Sequence, residues 1–166
     1  MDNLLRRALD MIGNETPLVR NCGSLCGAAC CQDDGDGTNG MLLLPGEESL
    51  CASIASSKLI SDSSLFPGGL RFVCSGTCER ELRPFSCRIF PLVPRIRNGK
   101  ITVEPDPRAW AVCPLMQYGK DGLRGSFVSG VQAACELLYE DAVYSPWFEG
   151  LEKVLSEYDL LRRDGL

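Results

Sequence analysis

The residues of this chain best suited to distinctive chemistry are its cysteines: there are ten of them, and no histidine. Eight fall into a pattern. The first group is Cys22-x3-Cys26-x3-Cys30-Cys31, and the second is Cys74-x3-Cys78-x8-Cys87, followed by Cys113 before Pro114. Thiolates a few residues apart can converge on one ion from a single turn. The ion in return lowers each thiol pKa and holds the loop folded. Gly23, Gly27 and Gly76 stand beside these cysteines and permit the positive-φ turns that such loops use. A lone cysteine reads as a small buried hydrophobe. Cys51 and Cys135 fit that description, at helical spacing among apolar neighbours, and are expected to be core rather than ligands. Cys22, Cys26, Cys30, Cys31, Cys74, Cys78, Cys87 and Cys113 are the candidate metal ligands.

Lack of histidine narrows the chemistry further. Ser-His-Asp and Cys-His catalysis are excluded, as are Cys2His2 zinc sites and His-ligated hydrolytic metals. Ligation by sulfur alone selects zinc or an iron–sulfur cluster, [4Fe-4S] among them. Neighbours Cys30 and Cys31 cannot easily face one ion, because consecutive side chains diverge on a strand and sit about 100° apart on a helix. They are expected to serve two centres, or two edges of one cluster. Thiolate sites of this kind supply on the order of 10 kcal/mol at neutral pH, so folding is expected to depend on the metal.

Charge follows the cysteines. The chain carries 17 Lys and Arg against 22 Asp and Glu, a formal net charge of -5, which argues against nucleic acid as a partner. Between Arg71 and Lys100 the balance reverses, with Arg71, Arg80, Arg83, Arg88, Arg95, Arg97 and Lys100 against Glu79 and Glu81. A thiolate-bound metal is anionic, and buried charge must be compensated. Arg83 and Arg88 flank Cys87 and are the candidate cofactor-binding residues, donating to sulfur or to a carboxylate.

At this point the sequence resembles a family. The run Cys78-Glu-Arg-Glu-Leu-Arg83-Pro84-Phe-Ser-Cys87-Arg88-Ile-Phe90-Pro91 is similar to the C-x8-C segment ending RPxxCRxFP. That segment marks the zinc- or iron-chelating cysteine-cluster family, also called YkgJ-like or CxCxxCC. The family also carries an upstream cluster ending in Cys-Cys, an acidic residue after an apolar stretch, and a downstream eighth cysteine. Cys22 to Cys31, Glu47 after Met41 to Leu44, and Cys113 resemble these. The likeness spans about Cys22 to Pro114. It departs from the family in its gaps, since the upstream cluster is usually CxxCGxCC and here both gaps hold three residues. It implies thiolate metal binding and little about activity, although longer relatives are linked to flagellin lysine N-methylation through an iron–sulfur site.

The elements that must position these residues are read from periodicity. Asp2 to about Gly13 reads as an amphipathic helix and not as a secretory signal, so a reducing cytoplasm, where disulfides are rare, is the expected compartment. Asn21 to Cys31 reads as loop or broken helix, and Gln32 to Gly40 as an acidic turn. Its Asp34-x-Asp36-x-Thr38 matches a calcium loop only at the start. Met41 to Leu44 suits a short strand or a helix entry. Pro45 is placed to open a helix over Gly46 to Lys58, with Leu50, Cys51, Ile54 and Ala55 inward.

Ser56 to Gly69 reads as a polar connection and Leu70 to Val73 as extended. Asn98-Gly99 between apolar flanks predicts a hairpin over Leu92 to Glu104. Ser126 to Val143 and Pro146 to about Arg163 read as amphipathic helices, with Trp110 and Trp147 in the core. The expected fold is a single α+β domain over residues 1–166, mainly helical, with a β-hairpin and irregular cysteine-rich metal-binding loops. Its motif-bearing core covers about 22–114 and its helical C-terminal part about 126–163.

No stretch is apolar enough for a membrane span. Cys22-x3-Cys26-x3-Cys30 misses the radical-SAM triad by one residue, and no dinucleotide fingerprint is present. The expected function is therefore a thiolate metal-binding protein, zinc or iron–sulfur, acting as a metal-stapled binding or carrier module. Its partners would be metal ions, with a protein partner left open. The alternative is an iron–sulfur redox protein or a component of a protein-modifying, lysine N-methylase-like enzyme. Whether the chain is an enzyme stays open.

Overall fold

A computed structural model describes residues 1–19, 21–32, 40–52, 54, 57–74, 76 and 79–163. The candidate ligand Cys78, Ala55 and most of the acidic turn, calcium-like run included, lie outside the described residues.

Helix α1, Asn3–Ile12, buries Leu5, Ala8, Leu9 and Ile12 on one stripe. Asp2 caps it, its carboxylate accepting the Leu5 N–H at 2.8 Å and the Tyr144 hydroxyl at 2.7 Å. Two longer helices complete this layer. One is α5, Gly125–Tyr139, burying Phe127, Val131, Ala134, Cys135 and Leu138. The other is α6, Ser145–Arg163, with Trp147, Phe148, Leu151 and Leu155 buried. To number the short helices in chain order, α2 is Gly23–Cys26, α3 is Glu48–Cys51 and α4 is Phe85–Ile89.

The expected hairpin is present. Of the five strands among the described residues, β4 (Leu92–Arg97) and β5 (Lys100–Pro105) pair antiparallel, with Ile96 opposite Ile101. Asn98 and Gly99 turn at φ +53° and +73°, as a type I′ turn requires. Both neighbouring helices secure it. Gln132 of α5 acts as an extra strand partner, accepting the Val103 N–H and donating to the Ile101 carbonyl, each at 2.9 Å. Glu152 of α6 accepts Arg95 Nε at 2.9 Å and the Ile96 N–H at 2.8 Å, while Asp159 takes the other arm of Arg95.

The segment after Met41 departs from expectation. Strands β1 (Met41–Leu42), β2 (Ser57–Ser61) and β3 (Leu70–Cys74) form an antiparallel sheet with β3 in the middle. The helix expected over Gly46 to Lys58 is reduced to α3, and the expected polar connection begins with β2. Gly46 sits at φ +87° after Pro45, so this pair turns the chain instead of opening a helix. Leu43, Cys51, Ile54 and Phe72 form a small core beneath this sheet, distinct from the large one that α1, α4, α5, α6 and the hairpin share. The fold is thus a small single-domain α+β structure with two sheets, one more than the sequence suggested. Trp147 is buried as expected, but Trp110 is 57% exposed, because its one-turn 3-10 helix, Pro107–Ala111, turns inward through Ala109. Among the described residues no helix is long and apolar enough to cross a membrane.

Candidate metal centre

The upstream cysteines sit on two single turns. Cys22 is the N-cap of α2 and Cys26 its last residue; Cys30 and Cys31 close a 3-10 turn over Ala29–Cys31. Between the turns Gly27 and Ala28 are both left-handed, at φ +60° and +56°. Two consecutive left-handed residues fold the second turn back beside the first, and a non-glycine there is uncommon. The other ligand candidates arrive from elsewhere. Cys74 ends the central strand β3, Cys87 lies on α4, and Cys113 precedes the 3-10 turn Pro114–Tyr118.

These thiols border two voids. Cys22, Cys26, Cys30 and Cys113 border one of about 20 Å³, lined also by Gly23, Phe90, Pro91, Val112, Pro114 and Leu115. Cys30, Cys31, Cys74 and Cys87 stand in the wall of a cavity of about 420 Å³. Among the described cysteines Cys30 alone borders both voids, its sulfur 3.9 Å from that of its neighbour Cys31. The loops carrying the second set are tied together where the Gly76 N–H donates to the Cys31 carbonyl at 3.2 Å and Cys74 Sγ to the Gly76 carbonyl at 3.3 Å.

Burial pushes the Cys22 thiol up, and the charge of Cys26 adds to it. Cys113 is raised by burial and then by the charges of Cys22 and Cys26. Cys31 is the opposite case. The hydrogen bond it shares with Cys30 holds it down at about 6, and the Arg83 guanidinium helps against burial, while that same bond and burial raise Cys30.

Sulfur is the donor type that soft metals take, and these sulfurs come from several loops. Closure is a separate matter. Among the described residues no group of three or more Cys, Asp or Glu side chains is drawn together tightly enough to hold an ion. The thiols share the walls of a void without meeting at a point. Neutral thiols have little to draw them closer, whereas in a metal site the ion supplies that force.

The two arginines differ. Arg83 lines the larger cavity, and its charge acts on Cys22 and Cys31. Arg88, only 8% exposed, donates to the carbonyls of Arg83 at 3.0 Å and Glu81 at 2.7 Å. Both bonds go to main-chain oxygen and not to sulfur or a carboxylate, so Arg88 braces the loop ahead of Cys87 instead of facing a cofactor.

Two residues matter more than the sequence alone indicates. Glu47 is 0% exposed, and its carboxylate accepts the Leu44 N–H at 2.8 Å and the Phe85 N–H at 2.6 Å. It thereby caps α4, the helix that presents Cys87. Burial pushes this carboxyl up to about 7 against the pull of those donors and of Arg88. In the sequence Glu47 is marked only as an acidic residue after an apolar stretch, and nothing local signals a cap for a helix 38 residues away. Cys51 is buried in the small core against which Cys74 and Cys87 pack, whereas Cys135 is buried in the large core.

Compared with known proteins, the chain matches no family model, no curated protein and no solved structure.

Proposed function

We propose that this chain is a cysteine-thiolate metal-binding protein, taking zinc or an iron–sulfur cluster, and that it works as a metal-stapled binding or carrier module. The observation that carries the reading is the gathering of cysteines from distant parts of the sequence. Cys22 and Cys113 are 91 positions apart, yet both border the same void with Cys26 and Cys30. Cys31, Cys74 and Cys87 come from a 3-10 turn, a strand and a helix, yet they border one cavity. Chance burial of small hydrophobes would scatter such residues through a core, as it does with Cys135. Arg83 beside Cys22 and Cys31 supplies the positive charge that a thiolate centre needs.

The test is elemental analysis of chain purified without oxygen, combined with its absorbance spectrum. Stoichiometric zinc in colourless protein supports a structural or carrier role. Stoichiometric iron with broad absorbance near 400 nm would instead favour the redox or protein-modifying alternative. Protein that holds neither metal, and takes up none on reconstitution, refutes the reading.

A further inference from the structure

Strand β2 lies at the margin of its sheet. The order β1–β3–β2 puts β3 on one side of it, and among the described residues no strand lies on the other. Leu59 is 41% and Ile60 39% exposed, although both are apolar and point to opposite faces. Folded proteins usually guard such an edge with proline, a bulge or charge. Ser57–Ser61 has no proline, pairs with β3 without a bulge, and carries Lys58 as its one charge.

The pairing fixes which backbone groups face the open edge. The Leu43 N–H donates to the Leu70 carbonyl at 2.9 Å, so Leu70, and with it Phe72, turns its main-chain groups toward β1. Arg71 and Val73 therefore serve β2, through their register partners Ile60 and Lys58. The Asp62 N–H on the Gly69 carbonyl, also at 2.9 Å, continues the same alternation. Ser57, Leu59 and Ser61 are left with main-chain groups aimed away from β3. Of these, Ser57 gives its N–H to the Ile54 carbonyl at 3.2 Å and keeps its own carbonyl for the edge.

We infer that this edge pairs with itself: β2 of a second copy of the chain adds to it antiparallel, about a two-fold axis at Leu59. A two-fold contact must be self-complementary, and the sequence Ser-Lys-Leu-Ile-Ser meets that condition. Leu59 faces Leu59, Lys58 faces Ile60, and Ser57 faces Ser61. Each Leu59 N–H then donates to the other Leu59 carbonyl, and each Ser61 N–H to the other copy's Ser57 carbonyl. On one side of the joined sheet the Lys58 stem covers Ile60; on the opposite side the two Leu59 side chains cover each other. Centring the pair on Lys58 instead would set like charges directly opposite. Centring it on Ile60 would set Lys58 against Asp62, whose carboxylate is 10% exposed and already held by Arg71 and the Ser64 N–H. The inference does not depend on metal.

The test is sedimentation of the full chain over a range of concentrations, in reducing buffer so that the thiols do not cross-link. Wild type should pass reversibly from one chain to two as concentration rises. Leu59→Lys and Leu59→Glu should each stay single, because each sets like charges face to face, whereas an equal mixture of the two should dimerise. Leu59→Pro removes an N–H that β3 does not use, so it should abolish the dimer while circular dichroism and melting stay near wild type. Ile60→Pro removes one that β3 does use and should lower the melting temperature. A wild-type chain that is single up to about 1 mM, a dimer that survives Leu59→Lys and Leu59→Pro, or a Lys and Glu mixture that stays single overturns the inference.

Discussion

At the scale of single residues, the cysteines separate by neighbourhood and not by exposure alone. Cys135 lies wholly inside the large core, where burial pushes its thiol far up. Cys135→Ala is expected to leave metal per chain unchanged; loss of an equivalent would show the core assignment to be wrong. Cys51 is the sharper case, because the small core sets it beside Cys74 and Cys87. The same unchanged metal content is expected of Cys51→Ala, which keeps that core apolar.

Glu47 acts by position. Replacing it with Gln leaves one of its two backbone donors facing an amide nitrogen, and an unsatisfied buried donor costs roughly 1–3 kcal/mol. Glu47→Gln is therefore expected to destabilise the chain by about that amount in denaturant melts. A Gln variant as stable as wild type would contradict the cap.

At the scale of elements, α1, the hairpin and the two long helices were legible because each repeats its apolar residues at one period and is bounded by a cap or turn. Asp2 and Gly13 bound α1, and Asn98-Gly99 bounds the strands. Strand β2 was not legible, because Lys58, Leu59, Ile60 and Ser61 are all exposed. With no buried face it has no alternation to read, and only its backbone pairing with β3 makes it a strand. The thiol groups were legible from spacing, but their division was not. Cys113 joins Cys22 and Cys26 only through the packing of Phe90, Pro91 and Leu115, which spacing does not encode.

The joint between the hairpin and α6 has a pH signature. Burial pushes the Glu152 carboxyl up, but bonds from Arg95, the Ile96 N–H and Ser156 outweigh it and hold it at about 2. A carboxyl lowered in the folded state contributes stability above its unfolded value, about 4.5, and loses it as pH falls through the folded one. Melts between pH 5 and 2 should show wild type losing stability faster than Glu152→Gln, although the variant starts lower. Parallel pH profiles would remove Glu152 as the source.

At the scale of the whole molecule, the two cores imply two responses to metal removal. The large core closes through α1, α4, α5, α6 and the hairpin, with Cys22 and Cys113 only at its margin. The small core has four buried members among the described residues, with Cys74 and Cys87 against it. Chelation is therefore expected to loosen the β1–β3–β2 sheet while the helices of the large core persist. This narrows the expectation from sequence that folding depends on the metal. Hydrogen exchange after chelation should rise over Met41–Leu42 and Leu70–Cys74 and stay low in α5. A uniform rise over both regions would favour one cooperative unit.

The account turns on two thiol sets that meet at one dipeptide. Its most direct test is metal content per chain for Cys30→Ser and Cys31→Ser, made separately and compared with wild type. Each variant is predicted to lose part of the metal and keep the rest, because each removes a ligand from a different set. Full retention in either variant, or complete loss in both, would contradict the two-set arrangement.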